Sequence, residues 1–286
     1  MAEIVQQILN ALVLGCVYCL IASGLSLVYG IMHVPNFAQG NIYMAAAYLV
    51  FALGPIFEFN YWLVSFVTIV FFIIIGMALE KFCFRPVRDA PHINSFVIAL
   101  GILMGIEGLI VILFGADYKE VLPPSRLILE FQGVTIAMQR VLVILGTLIV
   151  MVSLQLCLKK TTWGMCLEAM PQNRELALTI GIKVNRMSMI AFMLSTGLAG
   201  IAGALMAPVS FVYPAMGMTP LLIAFAAIIF GGMGSLPGAV LGAFIMAFAQ
   251  VFSTQYLASV VSDIVIFGIM ILILLFRPEG IMGVKE

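Results

Sequence analysis

Cys16 and Cys19, in the first apolar stretch of the chain, have a spacing that can support redox or metal chemistry. A C-x-x-C pair in a soluble protein is typical of a disulfide oxidoreductase or a zinc site. Here no Cys or His in a neighbouring loop completes a set of four ligands, and His33 and His92 stand far apart. Small residues three positions apart also suit helix packing, so we expect free thiols, no metal and no cofactor bound by this chain.

Glu107 is a carboxylate inside a long apolar run. A charge at the centre of a membrane helix costs about 2.5–3.5 kcal/mol on insertion scales, so such residues are hydrogen-bonded, turned inward or protonated. Two interpretations follow: a proton relay or polar wall of a translocation pathway, or an interhelical hydrogen bond that fixes packing. The neighbouring turns contain no acidic or basic partner, which favours the hydrogen bond.

Enzyme motifs are absent from the sequence. Neither H-E-x-x-H, nor G-x-S-x-G, nor a Walker A run occurs in the 286 residues. We therefore expect that the chain is not an enzyme, and that it does not hydrolyse ATP by the P-loop route.

Composition indicates an integral membrane protein. Hydrophobic residues make up 64% of the chain and charged residues only 9%, against about 25% charged in soluble domains. The 13 Lys and Arg balance the 13 Asp and Glu, so no basic surface is expected for nucleic acid. These values exclude a soluble enzyme and predict one membrane domain, residues 1–286, in contact with lipid.

The apolar runs predict an all-α, polytopic membrane helix bundle with about eight or nine segments, some of them short or broken. A barrel is not expected, because residues 63–79 are apolar on every face instead of alternating. The N-terminal run lacks a basic region and is too long for a signal peptide, so it is predicted to be a retained helix. The predicted segments are 6–30, 38–57, 61–80, 93–114, 139–158, 187–210, 219–232, 238–255 and 259–276.

Basic residues predict the orientation, because Lys and Arg in short loops stay in the cytoplasm. Ten of the 13 basic residues fall in three segments: Lys81, Arg85 and Arg88; Lys159, Lys160, Arg174, Lys183 and Arg186; Arg277 and Lys285. An even number of predicted spans separates each segment from the next, so all three lie on the same side of the membrane. The chain is thus predicted to be a multi-pass inner-membrane protein with a cytoplasmic C-terminus. The N-terminus is outside if three full spans precede the first loop, and inside if the helix after Asn36 enters only partway.

Small residues recur at spacings typical of close helix packing. The sets are Gly101 and Gly105; Gly197, Gly200 and Gly203; and Gly234, Gly238 and Gly242. They indicate a compact bundle and no particular chemistry.

The predicted cytoplasmic segment 159–186 is too long for a simple turn. Good helix formers follow Pro171, so residues 172–180 are predicted to form a short amphipathic helix that Gly181 ends in a left-handed conformation. From the residues alone, this helix is equally consistent with a docking element for a soluble partner and with a surface linker.

Five blocks, in order along nearly the whole chain, resemble the inner-membrane permeases of branched-chain amino-acid ABC importers. They are GLSLVYGIMHVPNFAQGNIYM (24–44), EKFCFRPVR (80–88), the segment 159–186, IAFAAIIFGGMGSLPGAVLGA (223–243) and ILLFRPEGIMG (273–283). The resemblance implies four kinds of partner: a homologous or identical second permease, two cytoplasmic ABC ATPases that use ATP, and a periplasmic or lipid-anchored solute-binding protein.

The resemblance also implies a role for the cytoplasmic segment. NRELALTIGI looks like the element with which such importers dock on their ATPases, with Glu175, Ala177 and Gly181 at the matching positions. The implied solute is leucine, isoleucine or valine, with urea or short amides as the alternative within the family. A channel or ion-coupled secondary transporter, using Glu107, is the alternative from another class.

Interrupted helices suggest where a translocation pathway runs, since irregular backbone at membrane depth is tolerated beside a cavity. Asn36 is predicted to cap a helix beginning at Phe37, leaving the amide donors of Ala38, Gln39 and Gly40 for an anion such as an amino-acid carboxylate. Gly231, Gly232 and Ser235, in the run to Gly238, are a second candidate wall. The alternative is that all these residues only form tight turns.

Overall fold

The computed structural model describes residues 2–32, 36–57, 60–88, 90–125, 127–131, 134–170, 181–256, 259–277 and 280–282. Within them the helices are α1 (Ala2–Met32), α2 (Ala38–Leu53), α3 (Tyr61–Leu79), α4 (His92–Phe114), α5 (Met138–Lys160), α6 (Thr162–Ala169), α7 (Val184–Met206), α8 (Met218–Gly231), α9 (Leu236–Tyr256) and α10 (Ser259–Phe276). A π-helical turn, Glu80–Phe84, and a 3-10 turn, Arg85–Val87, extend α3. The predicted helix bundle is confirmed.

A small β-hairpin between α4 and α5 was not predicted. Strands β1 (Ile128–Phe131) and β2 (Val134–Ala137) pair antiparallel, with Ile128 opposite Ala137. The hairpin lies in the loop that the charge pattern places outside the membrane, where water can satisfy its unpaired backbone groups.

Two helices are too short to cross a bilayer alone. By length and composition, six of the described helices are long and apolar enough to span a membrane, while α2 and α8 belong to the shorter apolar helices. With 16 and 14 residues, they extend about 24 and 21 Å, less than the hydrocarbon core of about 30 Å. The short segment 219–232 was predicted and is confirmed as α8, whereas α2 was predicted to extend to residue 57 and ends at Leu53.

The bundle is arranged around α1 and α7. The most apolar window of α7 is 72% buried, whereas that of α4 is 11% buried. Small residues allow the close packing: Gly203 of α7 faces the backbone of α2 so closely that a methyl group added there would lie 2.3 Å from the Tyr43 carbonyl oxygen. Helices at the centre therefore contact protein, and the outer helices present apolar side chains for lipid or another chain.

We call one end of the bundle the basic end. It contains the end of α1, where Gly30 lies beside Gly234, the segment 80–88 and the start of α7. The opposite end, the hairpin end, contains the start of α1 and the hairpin, where the Thr135 N–H donates to Gln6 Oε1. The described parts of the predicted cytoplasmic loops thus lie together, and the side of the membrane that they face stays a prediction.

Candidate functional site

α2 begins at Ala38, one residue later than predicted, and Asn36 provides the side chain that accepts from its first N–H group. Phe37 has helical dihedral angles, φ −66° and ψ −18°, and the Ala38 N–H donates to Asn36 Oδ1 at 3.2 Å. The Gln39 N–H donates to the carbonyl oxygen of Asn36, also at 3.2 Å. The expectation that these amides stay open for a solute is wrong for Ala38 and Gln39, because Asn36 itself binds them.

Gln39 connects α2 to α7. Its Nε2 donates to the Ser195 carbonyl oxygen at 2.8 Å, and Ser195 Oγ donates back to Gln39 Oε1 at 3.0 Å. The side chain is fully buried, and Gly24 of α1 leaves room for it, since a methyl group there would lie 2.6 Å from Nε2. These contacts give Gln39 a packing role, and its part in a pathway stays a prediction.

Gly40 lies where the two short helices meet. A methyl group on Gly40 would lie 2.5 Å from the carbonyl oxygen of Gly217, the residue that precedes α8. Ser195 is the middle residue of α7, so the start of α2 lies halfway along that helix. Both α2 and α8 therefore begin inside the bundle, as half-length helices do beside transport pathways.

Asn36 offers a donor at this level. It is 2% exposed, and its Nδ2 has no hydrogen-bond partner among the described residues. The adjacent Phe37 ring stacks on Phe225 at 4.6 Å and meets Phe96 edge-on at 5.2 Å. A buried amide with an unpaired donor, next in the chain to this aromatic cluster, keeps Asn36 as a candidate pathway residue.

The turn between α8 and α9 is a direct backbone crossing. A methyl group on Gly231 would lie 2.0 Å from the Gly238 carbonyl oxygen, so the two helices touch there. Gly232 has a φ of +104°, and Ser235 Oγ accepts from the Gly238 N–H at 3.3 Å to cap α9. The crossing leaves no space for a solute between Gly231 and Gly238. That a pathway runs along another face of this turn stays a prediction.

The C-terminal segment closes the end of α8. The Ile281 N–H donates to the Phe230 carbonyl oxygen and the Met282 N–H to that of Gly231, both at 2.9 Å. The last carbonyl groups of a helix lack partners within it, so these bonds satisfy groups that otherwise need water. The last resembling block therefore packs on the block that contains Gly231.

Glu107 is half-buried on α4. No described residue forms a hydrogen bond or ion pair with it, so the expected interhelical hydrogen bond is not found. One turn earlier on α4, the carbonyl oxygen of Leu103 accepts from Asn41 Nδ2 at 2.7 Å. The polar contact between α2 and α4 is made there instead, and a coupling role for Glu107 stays a prediction.

The predicted docking element is described only at its edges. Glu175, Ala177 and the predicted helix 172–180 lie outside the described residues, while Gly181 has the expected left-handed conformation, with a φ of +85°. Upstream, the unpredicted helix α6 begins at Thr162 and is capped by Thr161, whose Oγ1 accepts from the Gly164 N–H at 3.0 Å.

A buried ion pair next to this element was missed by the sequence analysis. Glu80 is fully buried, and Arg88 Nη2 donates to its Oε1 at 2.5 Å. Arg88 Nη1 donates to Asn185 Oδ1, also at 2.5 Å, at the start of α7. Arg85 Nη2 lies 3.2 Å from Glu80 Oε2 without hydrogen-bond geometry. The sequence offered one indication of this ion pair, the presence of Glu80 and Arg88 in the short run EKFCFRPVR. It did not predict the pair, because charged residues at a helix end usually face solvent.

The glycines of α4 face away from the other described residues. A methyl group added to Gly101, Gly105 or Gly108 would meet no atom within 4 Å. Met104 and Ile112, on the same face, are 72% and 85% exposed. The prediction that Gly101 and Gly105 pack helices within this bundle is wrong, because their face of α4 is open.

The family model for the branched-chain amino acid transport system / permease component matches residues 7–274. The chain belongs to this family, and the resemblance noted from its motifs is confirmed. No solved structure matches the chain.

Named relatives cover almost the whole chain. BraD of Pseudomonas aeruginosa, a high-affinity branched-chain amino acid transport system permease protein, is 30% identical over 98% of this chain and 96% of its own length. LivH of Escherichia coli K12 has the same values. A probable LivH of Methanocaldococcus jannaschii is 30% identical over 96% of this chain and 91% of its own length.

Proposed function

We propose that this chain is the permease subunit of an ATP-driven importer of leucine, isoleucine and valine in the bacterial inner membrane. The observation that carries the proposal is the family match over residues 7–274, together with relatives of that name matched over nearly their whole lengths. In this proposal the basic end, including the C-terminus, faces the cytoplasm, because loops rich in Lys and Arg are retained there.

The proposed assembly has partners at three surfaces of the chain. Two cytoplasmic ABC ATPases bind the segment 159–186 and hydrolyse the ATP, so this chain is not itself an enzyme and binds no cofactor. A homologous or identical second permease binds the open face of α4 around Gly101 and Gly105, where backbones can approach closely. A solute-binding protein delivers the amino acid at the hairpin end.

Coupling in this assembly uses packed elements that move as rigid bodies. A helix held by an ATPase moves the start of α7, and the bond between Arg88 and Asn185 connects that start to the end of α3. Gln39 and Ser195 connect α7 in turn to the start of α2. The proposed result is alternating access around the short helices α2 and α8.

The test is purification of the tagged protein from native membranes with its co-purifying chains, identified by mass spectrometry and reconstituted in vesicles. Labelled leucine uptake is measured with and without ATP and vanadate, in the presence of the solute-binding protein. We expect two ATPases and a second permease, and uptake that needs ATP, stops with vanadate and is competed by isoleucine and valine.

Other outcomes identify the alternatives. Competition by urea or acetamide, without competition by isoleucine, overturns the amino-acid assignment within the same family. A secondary transporter is indicated if uptake is independent of ATP, depends on a proton gradient and is lost in Glu107→Gln. This outcome contradicts the ATP-driven importer.

A further inference from the structure

A polar cavity opens at the hairpin end, between the start of α1, the start of α5, the end of α7 and the end of α9. Its volume is about 370 Å³, within the range of small-molecule sites. Its lining combines apolar side chains, among them Val13, Leu14, Val209 and Val251, with amide side chains and Arg140. The candidate pathway residues from the sequence do not line it.

Hydrogen bonds orient the polar side of this cavity. Gln7 Nε2 donates to Gln255 Oε1 at 3.1 Å, and Asn10 Nδ2 donates to Gln7 Oε1 at 3.3 Å. Arg140 Nη1 donates to Asn10 Oδ1, which completes a chain of bonds from α9 through α1 to α5. The amides are thereby fixed, and the guanidinium is held at the cavity by a single neutral partner.

Arg140 lacks a counter-ion in the described part of the chain. No described carboxylate lies within ion-pair distance of it, and its other N–H groups have no described partner. A guanidinium has five N–H donors arranged to bind a carboxylate through two parallel hydrogen bonds. The N–H donors of Arg140 that Asn10 does not use are therefore available to an anion in the cavity.

We propose that this cavity is the entry site for the solute, and that it binds an aliphatic α-amino acid with the carboxylate on Arg140. Gln250 and Gln255 also line the cavity. Each side-chain oxygen already accepts one hydrogen bond, from Tyr18 Oη and Gln7 Nε2 respectively, and retains a second lone pair for the ammonium group, while the apolar side chains of the lining contact the aliphatic chain. This inference rests on the proposed amino-acid importer with its hairpin end outward, and it assigns the solute class to a site on this chain.

The test uses cells that express the complete transporter with Thr254→Cys, a position that lines the cavity and is exposed. A membrane-impermeant thiol reagent is added outside, with millimolar leucine or with leucinamide, which lacks the carboxylate. Cells without Thr254→Cys give the background from the five native cysteines. We expect leucine to slow labelling and leucinamide to leave it unchanged, and Arg140→Gln to abolish the protection.

Uptake by the assembled transporter is the second measurement. We expect Arg140→Gln to lower leucine uptake about tenfold or more, as loss of a charge-assisted bidentate contact predicts, and Arg140→Lys to recover part of it. Lys119→Gln is the matched control, because Lys119 is a cation of the same end that does not line the cavity and pairs with Asp117. Membrane abundance of each variant is measured alongside.

The two proposals fail in different ways. Normal leucine uptake by Arg140→Gln, or equal protection by leucine and leucinamide, overturns the entry site and leaves the importer standing. Absence of uptake in the unmodified complex overturns the importer, and the labelling experiment still tests the cavity for an amino acid. Labelling that leucine never slows means that a lipid phosphate or nothing occupies Arg140, and this contradicts the site.

Discussion

Gln39 of α2 and Ser195 of α7 exchange two hydrogen bonds, at 2.8 and 3.0 Å, in the centre of the bundle. Because Ser195 is the middle residue of α7, the pair fixes the depth at which α2 begins. A buried amide in an apolar bundle needs both its donor and its acceptor satisfied, and one neighbouring residue satisfies both.

Loss of this pair is expected to destabilise the protein. Ser195→Ala leaves Gln39 Oε1 without its donor, at a cost of about 1 kcal/mol for an interhelical hydrogen bond in a membrane. Ser153→Ala is the control, because Ser153 is exposed and bonds only the Val150 carbonyl oxygen of its own helix. The thermal unfolding midpoint of each variant in detergent measures the effect, and equal midpoints contradict the role given to the pair.

Much of the fold could be predicted because apolar runs report burial in lipid directly. Each of the nine predicted segments overlaps one of the apolar helices α1–α5 and α7–α10 of the described residues, and Asn36 was identified as a capping side chain because it acts on adjacent residues. The left-handed conformation of Gly181 was predicted in the same way, from a glycine that directly follows a run of helix-forming residues. Each of these features depends on residues close together in the sequence.

Features that depend on distant partners were not predictable. Nothing around Glu80 indicates that Arg88 folds back on it and reaches Asn185, almost one hundred positions away. The glycines of α4 and those of α9 have the same spacing, yet Gly105 faces open space and Gly238 touches Gly231. The spacing of glycines shows that another helix can approach closely. Only the packed structure shows whether a helix of this chain packs there.

That contrast gives a stability test with its own control. Gly231→Ala places a methyl group 2.0 Å from the Gly238 carbonyl oxygen, so α8 and α9 must separate, at a cost of about 1–3 kcal/mol for overpacking. Gly101→Ala meets no atom within 4 Å and is expected to be neutral. Unfolding midpoints of the two variants decide the matter, and a neutral Gly231→Ala refutes the crossing.

The open face of α4 predicts a specific loss of assembly. Gly105→Leu adds a side chain where this chain has no atom, so the subunit is expected to fold, while the second permease can no longer approach. Gly268→Leu is the matched control, since Gly268 of α10 also faces open space. Co-purification of the second permease is measured, and its full recovery with Gly105→Leu contradicts this interface.

Glu80 is expected to matter for both stability and transport. Glu80→Gln leaves the guanidinium of Arg88, only 9% exposed, without its anion, and breaking a buried pair costs about 3–5 kcal/mol. Lys81→Gln removes the adjacent, exposed charge and is the control. We expect Glu80→Gln, but not Lys81→Gln, to lower the unfolding midpoint and to reduce leucine uptake. An unchanged midpoint and unchanged uptake in Glu80→Gln contradict the role given to the ion pair with Arg88.

Gly181 provides the sharpest test of coupling. Its φ of +85° is a conformation that costs other residues roughly 1–2 kcal/mol, and no atom of the described residues lies within 4 Å of a methyl group added there. Gly181→Leu therefore strains the backbone beside the docking element without a clash inside the bundle. We expect normal membrane abundance and continued ATP hydrolysis by the purified complex, with leucine uptake lost, because motion of the ATPases no longer reaches α7.

Gly115 supplies the control for this variant. Its φ is +78°, and it ends α4 at the hairpin end, opposite the end of the bundle where α7 begins. Gly115→Leu introduces a comparable backbone strain, so any general loss of stability affects both variants alike. Leucine uptake per ATP hydrolysed separates them: a selective fall with Gly181→Leu supports the docking assignment. An equal fall in both, or normal uptake in both, assigns Gly181 no more than a role in the local turn.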